Sequence, residues 1–178
     1  SHIFSHQDER GKYMRSIIRH ALLCTFALFP LAAWGAAEGV EPANLPKAVS
    51  ASIHARFPGA TITSAEKEVE NNQMIYDIEL KHENRNYEMD IKEDGTVIEI
   101  EKEIALANVP PAVRNAIESK FPQAKIKQVM EVNKVKGSEE KADHYEVTIQ
   151  TGENTELEVI ASLDGKSIEQ KKTEEPAK

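Results

Sequence analysis

Apolar and polar residues alternate along this chain in two rhythms, and each rhythm is met twice. Leu45, Val49, Ile53 and Phe57 recur at every fourth position, which lines them along one stripe of a helix. Pro46 suits the first helical turn, where its missing N–H would have had no partner. Phe57-Pro58 closes the helix, because the residue before proline is pushed out of the α region. The same lettering returns 64 residues later, with Val109, Val113, Ile117 and Phe121 on the stripe, Pro110-Pro111 at the start and Phe121-Pro122 at the end. Pro46/Pro110, Ala48/Ala112, Val49/Val113, Ile53/Ile117, Phe57/Phe121, Pro58/Pro122, Ala60/Ala124 and Ile62/Ile126 are identical pairs. The chain from residue 38 on therefore reads as two copies of one unit.

After each helix the period changes from four to two. Tyr76, Ile78 and Leu80 alternate with Asp77, Glu79 and Lys81, and Tyr87, Met89 and Ile91 with Glu88, Asp90 and Lys92. This alternation predicts antiparallel strands with one covered and one wet face. Asp94-Gly95, lying between Ile91 and Ile98, predicts a tight hairpin turn. The second copy repeats the order with Tyr145, Val147 and Ile149, then Leu157, Val159 and Ala161, then Asp164-Gly165 and Ile168. The tyrosines match at an offset of 69 and the Asp-Gly turns at 70, so the second copy has gained roughly six residues, placed mostly in a polar loop at 134–143. The expected fold class is α+β, with two tandem repeats, each a short helix packed on an antiparallel meander of about four strands.

A helix ending in Phe-Pro-x-Ala, followed by an alternating Tyr-containing run and an Asp-Gly hairpin, resembles the PepSY-like family. Its tandem form resembles the β-lactamase-inhibitory-protein-like fold of secreted bacterial proteins. The resemblance spans residues 45 to about 170. It implies a non-enzymatic binding module, with a sheet surface that in related folds blocks a peptidase or β-lactamase by occlusion. No inhibitory contact residue carries over, because such contacts sit on loops that no motif here specifies.

Residues 14–37 read as a cleavable secretory signal. Arg15 and Arg19 form a basic start, residues 21–31 an apolar run, and Ala32, Ala33, Gly35, Ala36 and Ala37 a small-residue end suited to cleavage after Gly35 or Ala37. A membrane anchor would need roughly 20 apolar residues, so no stable anchor is expected after cleavage. Met14 reads as the natural start. The expected layout is upstream residues and signal at 1–37, repeats at 38–104 and 105–170, and a loose tail at 171–178. Residues 38–44 and 104–108 read as linkers.

Composition narrows the function. At 178 residues, 40% hydrophobic and 29% charged, the chain fits an ordinary globular protein. The one cysteine, Cys24, lies in the signal, so the exported chain has no thiol chemistry, which fits a bacterial periplasm or a secreted protein. Cleavage removes four of 22 basic and two of 30 acidic residues, leaving a net charge of −10. That balance repels nucleic acid and anionic membranes.

No catalytic or metal motif occurs. His54, His82 and His144 are isolated in sequence, with His54 beside Ile53 on the helix and His82 in a polar loop, and there is no HExxH, nucleophile elbow, P-loop or dinucleotide glycine pattern. The expectation is that the protein is not an enzyme and carries no cofactor. What remains is the sheet face opposite the helices. There the first copy presents Asp77, Glu79, Glu88, Asp90 and Glu99, relieved by Lys81 and Lys92, and the second presents His144, Glu146, Thr148, Glu158 and Ile160. Like charges facing across strands cost stability. Three readings stay open: a solvated face that keeps an exported protein soluble, a docking surface for a cationic protein partner, and a weak calcium or small-ligand site. A monomer or weak dimer is expected.

Overall fold

The computed structural model describes residues 37–152 and 155–171. The predicted signal at 14–37, apart from Ala37, lies outside the described residues, as does the tail beyond Lys171. The strands are β1 (Glu38–Gly39), β2 (Thr61–Glu70), β3 (Gln73–His82), β4 (Arg85–Lys92), β5 (Val97–Glu103), β6 (Lys125–Lys136), β7 (Glu139–Gln150), β8 (Glu156–Ser162) and β9 (Ile168–Gln170). They form one antiparallel sheet in which spatial order follows chain order. Helix α1 (Lys47–Arg56) precedes β2, and α2 (Pro111–Lys120) precedes β6. The fold is α+β. Among the described residues no helix is long and apolar enough to cross a membrane.

The helices form where the stripe and the prolines place them. Pro46 and Pro110 stand at the N-caps, and Val49, Ile53, Val113 and Ile117 are buried. Phe57 and Phe121 leave helical geometry, with φ of −129° and −126°, while their N–H groups still donate to Ile53 and Ile117 at 2.8 Å. The Phe-Pro-x-Ala motif then makes a turn, closed by the Ala60 N–H donating to Phe57 and the Ala124 N–H to Phe121, both at 3.1 Å. Its third position has positive φ, 77° at Gly59 and 75° at Gln123. Proline at the second position and a left-handed third residue are what a type II turn requires.

The period-two residues fill two cores. Under α1, Val49, Ile53 and Phe57 pack with Tyr76, Ile78, Leu80, Met89, Ile91, Val97 and Ile100. Under α2, Val113 and Ile117 pack with Val129, Tyr145, Val147, Ile149, Val159 and Ala161. Each fully buried Val or Ile contributes about 1.5–3 kcal/mol relative to exposure. Val135 of β6 joins the first core, so the two cores share a strand boundary. The β5–β6 ladder, from Glu99↔Lys134 to Glu103↔Met130, makes one sheet of the whole.

Four local expectations change. Residues 38 and 39, read as linker, pair as β1 with Lys67 and Glu66. The polar loop expected at 134–143 is instead the end of a long hairpin, because Lys134↔Lys141 and Lys136↔Glu139 keep β6 and β7 paired up to a turn at Gly137. Polar residues surround Val135 on this hairpin, yet Val135 packs into the first core and Glu140 pairs with Arg56 of α1. His82 is the last residue of β3, and its ring lies 5.6 Å from that of Phe57. Lys171, placed at the head of a loose tail, is buried and donates its N–H to the Glu158 carbonyl at 2.8 Å. The sheet ends on two very short strands, β1 and β9, which limits edge-to-edge pairing.

Candidate functional site

Both helices pack against one face of the sheet, and the strand register assigns every second residue to the other. On that open face, Glu66, Asp77, Asp90 and Glu99 stand opposite one another on successive strands, followed by Lys134. The next row runs Glu79, Glu88, Glu101, Val132 and His144. Beyond it lie Met130, Glu146, Ile160 and Glu169, and then Thr148 opposite Glu158. All ten residues assigned to it from the sequence, Thr148 included, therefore share this one continuous face. Lys81 and Lys92 do not sit among the acids: they stand opposite Asn86 and Ile75, toward the two ends of β3.

The open face is not uniformly wet, contrary to the strict alternation. Glu99, Glu101, His144, Glu146 and Thr148 are buried, as are Ile75, Met130 and Val132 on the same side. Lys134 forms an ion pair with Glu99, and Lys171 reaches Glu146 at 2.8 Å and Glu158 at 3.5 Å. His144 lies between carboxylates, its Nδ1 3.0 Å from Asp143 and its Nε2 3.5 Å from Glu146.

Burial and crowding push most of these acids up, and hydrogen bonds with a nearby ammonium pull one down. Asp77 is pushed up to about 8, first by burial and then by Asp90, Glu88, Glu79 and Glu66. Glu158 is pushed up to about 8 by burial and by a hydrogen bond and charge shared with Glu146, against the pull of Lys171. Burial alone would also raise Glu146, but hydrogen bonds from His144, Glu158 and Lys171 together with the Lys171 charge outweigh it and hold Glu146 below its usual range. Glu101 is driven well above the carboxylate range by burial, then by Glu146 and Glu88. Near neutral pH some of these groups keep their protons, because neighbouring carboxylates cannot all ionise in one poorly solvated patch.

Glu66, Glu101, Lys134 and Lys171 belong to the site without having been singled out from the sequence. Glu101 was within reach, since it follows Glu99 by two positions on β5. Lys171 carries no local signal, because only the β8–β9 pairing brings it over Glu146. On the helix side, a cleft of about 320 Å³ is lined by Ser52, Arg56, Gly95, Thr96 and Gly137, and Arg56 lies 3.8 Å from Glu140. Among the described residues no group of three or more His, Cys, Asp or Glu side chains is arranged to hold a metal ion.

Comparison with known proteins adds the family. A family model described as "Putative beta-lactamase-inhibitor-like, PepSY-like" matches the chain twice, at residues 32–99 and 84–169. No curated protein matches it. Among solved structures, the chain resembles a DUF2874 family protein from Bacteroides uniformis, with a TM-score of 0.52 at 14% identity over 70% of this chain and 88% of that one. A structure from Bacteroides eggerthii, described among "putative periplasmic proteins", gives the same TM-score of 0.52 at 14% identity, with 70% and 88% covered. A BLIP-like protein from Bacteroides fragilis aligns with a TM-score of 0.49 at 16% identity over 74% of this chain and 90% of that one. At these identities the likeness concerns the fold.

Proposed function

The chain belongs to the PepSY-like, β-lactamase-inhibitor-like family, and from that premise we propose that it is an exported, non-enzymatic binding module whose open sheet face docks a protein partner with a basic surface. The reading takes each repeat as one helix and the four strands after it. The observation that carries it is the row of facing acids Glu66, Asp77, Asp90 and Glu99, flanked by Glu79 and Glu88, on the side of the sheet away from both helices. Like charges directly across strands are destabilising, and a cationic partner would relieve that repulsion and be steered toward the face. Occlusion of a peptidase or another extracytoplasmic protein is the form of action the family suggests. The periplasm or the outside of the cell is the proposed location, supported by the signal pattern at 14–37 and by the description of the Bacteroides eggerthii relative.

The test is capture from native extracytoplasmic extract by the tagged protein, at low and moderate salt. One stoichiometric partner, held by the native protein and lost on Glu79→Lys with Glu88→Lys, is expected. Absence of any such partner at both salts would remove the docking reading. The competing calcium reading asks for six to eight oxygen ligands around one ion. Calcium added to the same capture therefore serves as a control.

A further inference from the structure

Two buried glutamates on the open face both feel the charge of Lys171, but only one of them is hydrogen-bonded to it. Glu146 is about 4% exposed, and Lys171 supplies an ammonium group 2.8 Å from its Oε2. Glu101 is about 5% exposed, and its Oε2 has no hydrogen-bond partner. It stands directly opposite Glu88 on one side and Val132 on the other. A buried carboxylate oxygen without a donor costs on the order of 1–3 kcal/mol or more, so such an atom asks for an explanation.

We propose that Glu101 is the anchor for a lysine or arginine side chain of a protein partner, which would take at Glu101 and Glu88 the place that Lys171 takes at Glu146 and Glu158. This rests on the docking reading above and names its central contact. Three observations support a basic side chain as the occupant. The neighbouring acids Glu88, Asp90, Asp77 and Glu79 give charge complementarity on the β3–β5 side. Val132 and Met130, both buried, make the β6 side of Glu101 apolar, where a carboxylate is poorly solvated and a paired cation would compensate it. The Lys171 arrangement shows that this face can hold an ammonium group between two carboxylates. Buried, desolvated charge pairs near the middle of an interface are where truncation costs most. In the free protein, burial first and then repulsion from Glu146 and Glu88 keep Glu101 above the carboxylate range, so binding of the cation would expel a proton.

The experiment uses a fluorescein-labelled (Gly-Arg)4 peptide as the probe, with anisotropy read at pH 7.5 in the full protein. Glu101→Gln is expected to weaken binding at least tenfold, while Glu139→Gln, the same substitution at the exposed hairpin tip, changes it less than twofold. The glutamine variant mimics the protonated carboxyl of the free protein and should melt close to the native temperature, which checks that it is folded. Binding should release a proton, seen as a difference in binding heat between buffers of unlike ionisation enthalpy. Equal loss in the two variants would overturn the proposal, leaving only diffuse attraction. Displacement of the peptide by millimolar calcium that depends on Glu101 would overturn it in favour of a divalent cation. A dimer that dissociates on Glu101→Gln would overturn it in favour of a second copy. A partner captured from extract that is lost in the Glu79/Glu88 double reversal but kept by Glu101→Gln would leave docking in place and remove Glu101 as its anchor. Glu101-dependent peptide binding without any captured partner would do the reverse.

Discussion

A Cβ atom on Gly165 would lie 2.7 Å from the carbonyl oxygen of Ala112, so the turn between β8 and β9 rests on the backbone of α2 with no room for a side chain. The first unit repeats the contact, with Gly95 2.8 Å from Ala48 by the same measure. Both glycines have positive φ, 71° and 87°. Gly165→Ala therefore combines a left-handed strain with a clash against backbone that cannot swing away. Gly59 has a φ of 77° but open space around its Cβ position. Urea unfolding should show Gly59→Ala costing about 1–2 kcal/mol and Gly165→Ala distinctly more, above about 3 kcal/mol. Equal costs would mean that the helix–turn contact contributes nothing.

Gln123 occupies the turn position that glycine takes in the first copy, at a φ of 75°. Gln123→Gly removes that strain and adds entropy to the unfolded chain. A net gain of about 0.5–1 kcal/mol is expected in the same urea assay.

Stability should fall as pH rises between about 4 and 8. Asp77 and Glu158 have folded values near 8 against ordinary values of 3.8 and 4.5, so the folded state binds more protons across that window. Their protonated forms favour folding fully below the unfolded values, and the contribution is lost as pH climbs through the folded ones. Glu101 acts in the same sense. Glu146, lowered, contributes in the opposite sense, but its share is lost only on acidifying below the ordinary range. Each raised group adds a slope of up to about 1.4 kcal/mol per pH unit. The melting temperature should drop from pH 5 to pH 8, and Asp77→Asn should flatten the drop. A melting temperature that rises over this interval would contradict the crowding of charges around Asp77.

Lys171→Met tests the buried ion pair. It leaves Glu146 buried beside Glu158 without its ammonium partner, a loss of about 3–5 kcal/mol at pH 7.5. The loss should shrink at pH 5, where Glu146 can take up a proton. Lys166→Met breaks an ion pair whose partners are both exposed and should change nothing measurable. Denaturant midpoints at the two pH values check both outcomes.

Much of the framework was legible in the sequence because its determinants are local. Four-residue spacing placed Val49, Ile53, Val113 and Ile117 in the cores. Alternation placed Tyr76 and Tyr145 inward and Asp77 and Glu146 outward, and proline and glycine marked the helix ends and turns. The hairpin at 134–143 reads as a loop in the sequence, since polar residues on both strand faces erase the period-two signal. Lys171 reads as tail, since a single buried lysine carries no pattern.

What the sequence by itself determined was therefore the repeat, its elements and the side of the sheet to which each acid belongs. Only the tertiary structure decided that β5 and β6 join the two units into one face, that Glu101 and Glu146 are buried on it, and that Lys171 hydrogen-bonds to one and not the other. Periodicity records which way a side chain points relative to its own strand. The depth of a carboxylate, its neighbours and its proton are set by residues tens of positions away, brought opposite it by strand register.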